Sequence, residues 1–101
     1  MNPTSINFSE FENKKILITG GSTGIGAELA KAFAKQGAIV GLHYFSSEDA
    51  ANQVAAEIRS EGGRVELVRA DVSNAQDIAD AVNEAAARLG GLNGIINNAG
   101  G

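Results

Sequence analysis

The stretch KILITGGSTGIG, from Lys15 to Gly26, decides the fold of this 101-residue chain. It begins as a largely apolar run with the length of a strand buried on both faces. A cluster of glycines follows, and glycine adopts backbone angles that other residues avoid and lets the chain come close to a ligand. The free amides and the dipole at the start of the next helix attract negative charge. The stretch therefore predicts a strand, a phosphate-binding turn and a helix start, with Gly20, Gly24 and Gly26 as the main contacts.

Other uses of the glycine turn have less support. A P-loop of the kinase and ATPase type needs Lys and Ser or Thr after its last glycine, where this chain has Ala27 and Glu28. A methyltransferase-type loop generally has an acidic residue at the end of the first strand, where Thr19 stands. That alternative stays open, as does a turn that serves only to pack a helix tightly on a sheet.

A helix is predicted directly after the turn. Ile25, Leu29 and Phe33 recur every four residues among several alanines, and Gly37 follows as a stop. This spacing predicts that the three large side chains form one buried stripe.

Three further runs of strand length follow, at Ala38–Tyr44, Arg64–Arg69 and Leu92–Asn97, and helical periodicity separates them. Strands joined by single helices favour right-handed crossovers and a parallel sheet with helices on both faces. The fold class predicted is therefore α/β, a truncated Rossmann-type, doubly wound parallel sheet with the order βαβαβαβ and strand order 3-2-1-4. We expect residues 1–13 to be a leader and residues 14–101 to be the N-terminal half of that domain.

Local signals place the starts of the second and third helices. Ser46 or Ser47 can cap the second helix, and Ser73 with Gln76 has the spacing of a capping box for the third. The residues expected to face the core are Ala51, Val54, Ala55 and Ile58 in the second helix and Ile78, Val82, Ala86 and Leu89 in the third.

Composition excludes several classes of function. The chain has no cysteine, which removes disulfides and thiolate chemistry and fits a cytoplasmic protein. Its net charge is -4 and its basic residues are not clustered, so neither a nucleic acid nor an anionic membrane is an expected partner. The leader lacks the pattern of a signal peptide or membrane anchor. His43 is the only histidine, and we expect it to pack near the end of the second strand with no metal-binding or catalytic role.

Three motifs in order resemble those of the short-chain dehydrogenase/reductase family. They are Gly20-x-x-x-Gly24-x-Gly26, the pair Asp71-Val72 after the third strand, and Asn97-Asn98-Ala99-Gly100 after the fourth. The resemblance covers Lys15 to Gly100, with a departure from the family just before the last motif, at Asn93-Gly94, and is nearest to the 3-oxoacyl-[acyl-carrier-protein] reductase branch. It implies an oxidoreductase that binds a dinucleotide and forms homo-oligomers when complete.

The resemblance also assigns cofactor contacts by position. Asp71 and Val72 would meet the adenine ring. The fourth-strand motif would line the ribose through Asn98, Ala99 and Gly100, whereas Asn97 would be more structural. Around the pyrophosphate, the expected contacts are Gly20, Ser22, Thr23, Gly24, Ile25 and Gly26.

The end of the second strand favours NADP over NAD, although NAD stays possible. An NAD-binding site of this type usually has an acidic residue there for the ribose 2′-hydroxyl, and Tyr44 occupies that place. A 2′-phosphate could therefore bind at the start of the second helix, near Tyr44, His43, Phe45, Ser46 and Ser47. Family members often bind this phosphate with a basic residue at one of two positions, but this chain has Thr23 and Phe45 there. Glu48 and Asp49 also add negative charge nearby.

The catalytic pair of the family, Tyr-x-x-x-Lys, does not occur in this sequence. Tyr44 is the only tyrosine, and Glu48 stands four residues after it. No catalytic residue is therefore assigned, and we expect the chain to be inactive alone. The alternative is a stand-alone or complementing nucleotide-binding module without catalysis of its own.

Overall fold

The computed structural model describes residues 10–22, 24–71 and 73–98. In this part of the chain, strands and helices alternate as the sequence predicts. They are β1 (Lys15–Thr19), α1 (Gly24–Lys35), β2 (Ile39–Tyr44), α2 (Glu48–Ser60), β3 (Arg64–Arg69), α3 (Ala75–Leu89) and β4 (Gly94–Asn97).

The four strands form one parallel sheet in the order β3-β2-β1-β4, which confirms the predicted topology. β1 lies in the middle, where Ile16 pairs with Val40 of β2 and with Gly94 of β4. Its residues from Ile16 to Thr19 are all buried. The glycine turn therefore begins at the centre of one sheet edge.

Helices cover both faces of the sheet, as expected for a doubly wound fold. On one face, side chains of α1 and α2 pack on Ile16, Ile18, Val40 and Leu42. On the other face, Ala81 and Ala85 of α3 pack with Leu17 and Val68. The described part of the chain thus has two apolar clusters with the sheet between them.

The predicted stripe of large residues on α1 is wrong. Ile25 is 72% exposed, and Leu29 and Phe33 are only partly buried. The buried residues are instead Gly26, Ala27, Ala30 and Ala34. Small residues at helical spacing let the α1 backbone approach the sheet closely, so volume decides which face is buried here. Phe33 serves a different contact, an edge-to-face pair with Phe11 at 5.2 Å between ring centroids.

In α2 the predicted core residues are correct, since Ala51, Val54, Ala55 and Ile58 are all buried. Ser47 is the N-cap residue, but its side chain makes no capping hydrogen bond within this described segment. The helix then starts with two carboxylates, Glu48 and Asp49. Its start is therefore favoured by charge and not by a side-chain cap.

The predicted capping box of α3 is wrong by one residue. Asn74 is the N-cap, and its Oδ1 accepts from the Asp77 N–H at 2.9 Å. Ser73 donates instead to the Asp77 carboxylate, and Gln76 donates to Asp80. Asn74 has the extended backbone that an N-cap requires, with φ -146° and ψ 173°.

The stripe predicted for α3 is shifted in the same way. Ala81, Ala85 and Leu89 are buried, whereas Ile78 is 46% exposed. Val82 and Ala86 are only partly buried. As in α1, alanines lie closest to the sheet and larger residues lie at the margin.

Two strands begin later than predicted. The Ala38 N–H donates to Phe33 O, which closes the end of α1, so β2 starts at Ile39. Before β4, the Asn93 N–H donates to Lys15 O and the Asn93 Oδ1 accepts from the Lys15 N–H, both at 2.8 Å. Asn93, which departs from the family pattern, therefore anchors the start of β4 at Gly94.

Among the described residues, no helix has the length and apolar character needed to cross a membrane.

Candidate nucleotide site

The predicted site residues lie after the carboxyl ends of the strands, which all meet at one edge of the parallel sheet. β1 leads into the glycine turn, β2 ends at Tyr44, β3 leads to Asp71, and β4 leads to Asn98. Ligands of open α/β sheets bind at this edge. The fold thus brings together residues that are far apart in sequence.

Glycine is required in the turn for two separate reasons. Gly20 has φ 62° and Gly24 has φ 57°, a region that other residues rarely adopt. At Gly26 the reason is space, because a Cβ there would lie 2.4 Å from Gly20 O and 2.7 Å from Asn98 Nδ2. A Cβ on Gly24 would meet none of the described atoms within 4 Å, so the outer side of the turn is open within the described part of the chain.

A chain of hydrogen bonds joins the turn to the end of β4. Thr19 Oγ1 donates to Asn97 Oδ1 at 2.9 Å and accepts from the Asn98 N–H at 2.9 Å. Asn98 Nδ2 donates in turn to Gly20 O at 3.2 Å. Asn97 and Asn98 therefore hold the turn against the strand edge, which gives Asn98 a structural role that the sequence assigned mainly to Asn97.

His43 is a residue whose role sequence reasoning missed. It is 2% exposed, and its Nδ1 accepts from the Gly20 N–H at 3.0 Å. Its Nε2 lies 2.8 Å from Ala70 O, which assigns the neutral tautomer with the proton on Nε2. The ring thus links the glycine turn to the residue before Asp71. The pairing of β1 with β2 could have indicated this contact, because it places Leu42 beside Ile18, so the next residue of β2, His43, comes level with the start of the turn.

The start of α1 differs electrostatically from those of the other helices in the described part. α1 has no acidic residue in its first turn, whereas α2 has Glu48 and Asp49 and α3 has Asp77. Helix N-termini attract anions through unpaired amides and the dipole. The first turn of α1 therefore places no carboxylate against an anion. The positive φ angles of Gly20 and Gly24 and this lack of negative charge are compatible with a bound pyrophosphate.

The end of β2 holds aromatic side chains with unequal exposure. Tyr44 is 8% exposed and belongs to the apolar cluster under α1 and α2. Phe45 is 47% exposed and lies 5.6 Å from the Arg69 guanidinium carbon, measured to the ring centroid. Ser46 follows and is exposed. The sequence reasoning noted the lack of a basic residue here and missed that Arg69 of β3 supplies one.

The remaining predicted contacts are placed only in part. Asp71 is exposed, and it follows Ala70, whose N–H donates to Tyr44 O at 3.0 Å. Ser22 is buried at 7% exposure. The other predicted contacts lie outside the described residues; they are Thr23, Val72, Ala99 and Gly100.

A separate groove runs between α1 and α2, away from the strand ends. Lys31 on its wall pairs with Glu28 at 3.2 Å and with Glu57 at 3.5 Å. These carboxylates, Glu28 first through its hydrogen bond, raise the pKa of Lys31. Exposed pairs of this kind contribute little to stability. The groove joins two helices, and its described lining includes neither Asp71 nor Asn98, the predicted adenine and ribose contacts that the structure describes.

Comparison with known proteins identifies the family. A family model described as short chain dehydrogenase matches residues 14–101. An uncharacterized oxidoreductase of Methylorubrum extorquens is 42% identical over 91% of this chain and 37% of its own length. A 3-oxoacyl-[acyl-carrier-protein] reductase of Staphylococcus epidermidis is 33% identical over 87% of this chain and 36% of its own. The chain thus spans little more than a third of these two relatives.

A shorter relative and a solved structure add to this picture. The short-chain dehydrogenase/reductase homolog YusS of Bacillus subtilis is 37% identical over 86% of this chain and 80% of its own length. A dehydrogenase structure from Burkholderia cenocepacia with bound NADP has a TM-score of 0.81 at 30% identity, over 86% of this chain and 34% of its own. The chain belongs to the short-chain dehydrogenase/reductase family, and its four strands correspond to the N-terminal half of that fold.

Proposed function

We propose that this chain is the NADP-binding part of an oxidoreductase that interconverts carbonyl and alcohol groups by hydride transfer. The observation that carries the proposal is the glycine turn at the start of α1. That turn is open outside Gly24 and has no carboxylate in the first helical turn. Membership of an oxidoreductase family supports the reaction class.

The cofactor would lie across the edge formed by the strand ends. Its pyrophosphate would be held by the amides of the turn and of the α1 start, through Gly20, Ser22, Thr23, Gly24, Ile25 and Gly26. Its adenine would contact Asp71 and Val72, and the ribose that does not carry the 2′-phosphate would lie near Asn98, Ala99 and Gly100. The nicotinamide would donate the hydride in carbonyl reduction and accept it in alcohol oxidation, and the role of this chain would be to bind and orient the adenosine and pyrophosphate.

NADP is proposed over NAD because of the end of β2. Tyr44 stands where a carboxylate would repel a 2′-phosphate, and it is buried in the core. Phe45 and Ser46 are exposed beside it, and the Ser47 hydroxyl makes no capping bond to α2. A structural neighbour with bound NADP supports the same choice.

The chain by itself is proposed to bind cofactor weakly and to lack turnover. The sequence contains no Tyr-x-x-x-Lys pair to move the proton. β4 lies at an edge of the sheet, where Ile95 is 50% exposed, and an exposed strand edge favours association with another strand. We further propose a cytoplasmic location, and homo-oligomers for the complete enzyme.

A second candidate function is a stand-alone or complementing nucleotide-binding module. It is favoured by YusS, a relative of which this chain covers 80%. Such a module would bind the dinucleotide and would depend on a second chain for catalysis. The coding sequence after Gly101 separates the two functions, because an in-frame Ser followed by Tyr-x-x-x-Lys is expected only for the first.

The direct test is a fluorescence titration of the purified 101-residue chain with NADPH and with NADH, followed by assays of carbonyl-dependent NADPH oxidation. We expect weak binding that favours NADPH, and no oxidation. Turnover by a preparation whose mass is confirmed would contradict the proposed inactivity. Equal or stronger binding of NADH would contradict the proposed NADP preference.

A further inference from the structure

One arginine stands apart from the other three in the chain. The guanidinium groups of Arg59, Arg64 and Arg88 donate to Val65 O, Asn13 Oδ1 and Leu67 O, respectively. Arg69 has no hydrogen bond or ion pair to any residue that the structure describes. Its contact is the face of Phe45, 5.6 Å from the guanidinium carbon to the ring centroid. Within the described part of the chain, its N–H groups are therefore available to a ligand.

The position of Arg69 is set by the sheet. It is the last residue of β3 and pairs in register with Tyr44, the last residue of β2. Leu67, two residues earlier, packs in the same cluster as Tyr44, and alternate residues of a strand share a face. Arg69 therefore stands on the side of the sheet that carries α1 and α2, directly beside the end of β2.

A phosphate bound at the end of β2 would need a positively charged partner. Glu48 and Asp49 begin α2 nearby and would repel a phosphate. A phosphate monoester carries about −1.5 to −2 charges at neutral pH. A planar guanidinium can donate two parallel hydrogen bonds to it, and stacking on an aromatic ring holds the guanidinium plane in place.

We propose that Arg69, oriented by Phe45, binds the 2′-phosphate of NADP and determines the preference for NADP over NAD. The assignment rests on the proposed function, because it takes the adenosine ribose to lie at the end of β2. It supplies from β3 the positive charge that the positions of Thr23 and Phe45 lack.

The test compares adenosine 2′,5′-bisphosphate with adenosine 5′-monophosphate, since the two differ only in the 2′-phosphate. Affinities are measured by isothermal titration calorimetry on the complete protein that carries this sequence. Arg69→Gln is expected to weaken bisphosphate binding about tenfold to a hundredfold, as for a lost hydrogen-bonded charge. Binding of the monophosphate is expected to stay within about twofold, because that ligand makes no contact with Arg69.

Two further variants separate geometry from charge. Arg69→Lys keeps the charge without the planar fork, and Phe45→Leu removes the ring that orients it, so each is expected to lose part of the discrimination. Arg64→Gln is the matched control, because it removes the same charge from the far end of β3, roughly 16 Å away and beyond the screening length. It is expected to leave the ratio of the two affinities unchanged.

The outcomes distinguish the two proposals. Loss of discrimination in Arg69→Gln alone, with monophosphate binding retained, supports the role of Arg69. The role of Arg69 is overturned if the bisphosphate still binds more tightly than the monophosphate in Arg69→Gln, or if Arg64→Gln reduces this difference equally. In either case the NADP preference of the wild-type protein stays intact. A wild-type protein that binds neither nucleotide, or binds both equally, overturns the proposed NADP binding and the role of Arg69 with it.

Discussion

The starts of α1 and α3 differ in the partners and the charge that they offer to the unpaired amides of a helix N-terminus. At α3, the chain provides its own partners, since Asn74 accepts from the Asp77 N–H and Asp77 adds a negative charge to the first turn. At α1, a glycine turn with open space outside Gly24 leads into a first turn without a carboxylate. At α3 the protein supplies an acceptor for a helix amide, and on the proposed function the start of α1 leaves that role to an anion of the cofactor.

If the turn before α1 binds the cofactor as proposed, this difference marks a binding turn within an α/β sheet. Both helices begin after a strand and both pack on the sheet through alanines. What separates them is the acidic residue in the first turn of α3 and, on the proposed function, the source of the partners of the N-terminal amides. The comparison can be tested by disturbing the turn, by making α1 resemble α3, and by removing the α3 cap.

The largest effect is expected from Gly26→Ala. The added Cβ would meet Gly20 O at 2.4 Å and Asn98 Nδ2 at 2.7 Å, so the turn must move away from α1. Overpacking of this kind costs about 3 kcal/mol, which corresponds to a fall of more than roughly 10 °C in the thermal midpoint of a domain this size. Nucleotide binding is expected to be lost as well. Circular dichroism on heating and a NADPH titration measure the two effects.

Gly62→Ala is the control for that substitution. Gly62 also has a positive φ of 83°, but a Cβ there meets nothing within 4 Å. Its cost is expected to be about 1 kcal/mol, from backbone strain alone. If Gly26→Ala costs no more than Gly62→Ala, the close contact between the turn and α1 is not important.

Ile25→Glu would make the start of α1 resemble that of α3. Ile25 is 72% exposed, so the new carboxylate can face the helix dipole without burial. The unliganded protein should gain about 0.3–1 kcal/mol, whereas NADPH should bind roughly tenfold more weakly because the carboxylate repels the pyrophosphate. Urea unfolding and a NADPH titration report the two changes.

The matched control is Ile78→Glu, which replaces an exposed isoleucine near the start of α3. Asp77 already provides a carboxylate there, so neither stability nor NADPH affinity should change appreciably. Equal effects of the two substitutions on NADPH binding would mean that the start of α1 has no special role toward anions.

The smallest effect is expected at the α3 cap. Asn74→Ala should cost about 1 kcal/mol in urea unfolding, because the Asp77 N–H loses its acceptor. Ser73→Ala should cost only a few tenths of a kcal/mol in unfolding free energy, since Ser73 contacts an exposed carboxylate and no backbone amide. If Ser73→Ala cost more than Asn74→Ala, the result would support the capping box that the sequence predicted. NADPH binding should be unaffected by both substitutions.

The order of the elements was predictable because apolar runs and helical spacing alternate so regularly. The buried face of α1 was not, because hydropathy favoured Ile25 while close packing selected Gly26 and the alanines. The α3 cap was missed because Ser73 and Asn74 are neighbours of similar capping tendency. Only the backbone conformation distinguishes them.

In the candidate site, too, some residues could be predicted from the sequence and others could not. Its glycines and its two asparagines are recognisable as motifs, since each motif is local in sequence. The positions of His43 and Arg69 relative to the site cannot be found from local motifs, because they depend on strand register, which places His43 beside the glycine turn and Arg69 beside Tyr44. A single histidine or arginine carries no such information until its neighbouring strand is known.

The buried ring of His43 has a consequence for affinity. It bonds Gly20 on one side and Ala70 on the other, so the loop proposed for the phosphates and the loop proposed for the adenine are held at a fixed spacing. A ligand that engages the first loop then meets the second at a high effective concentration. On the proposed function, the two ends of one nucleotide should reinforce each other, and separate adenine and phosphate fragments should bind far more weakly than their joined form.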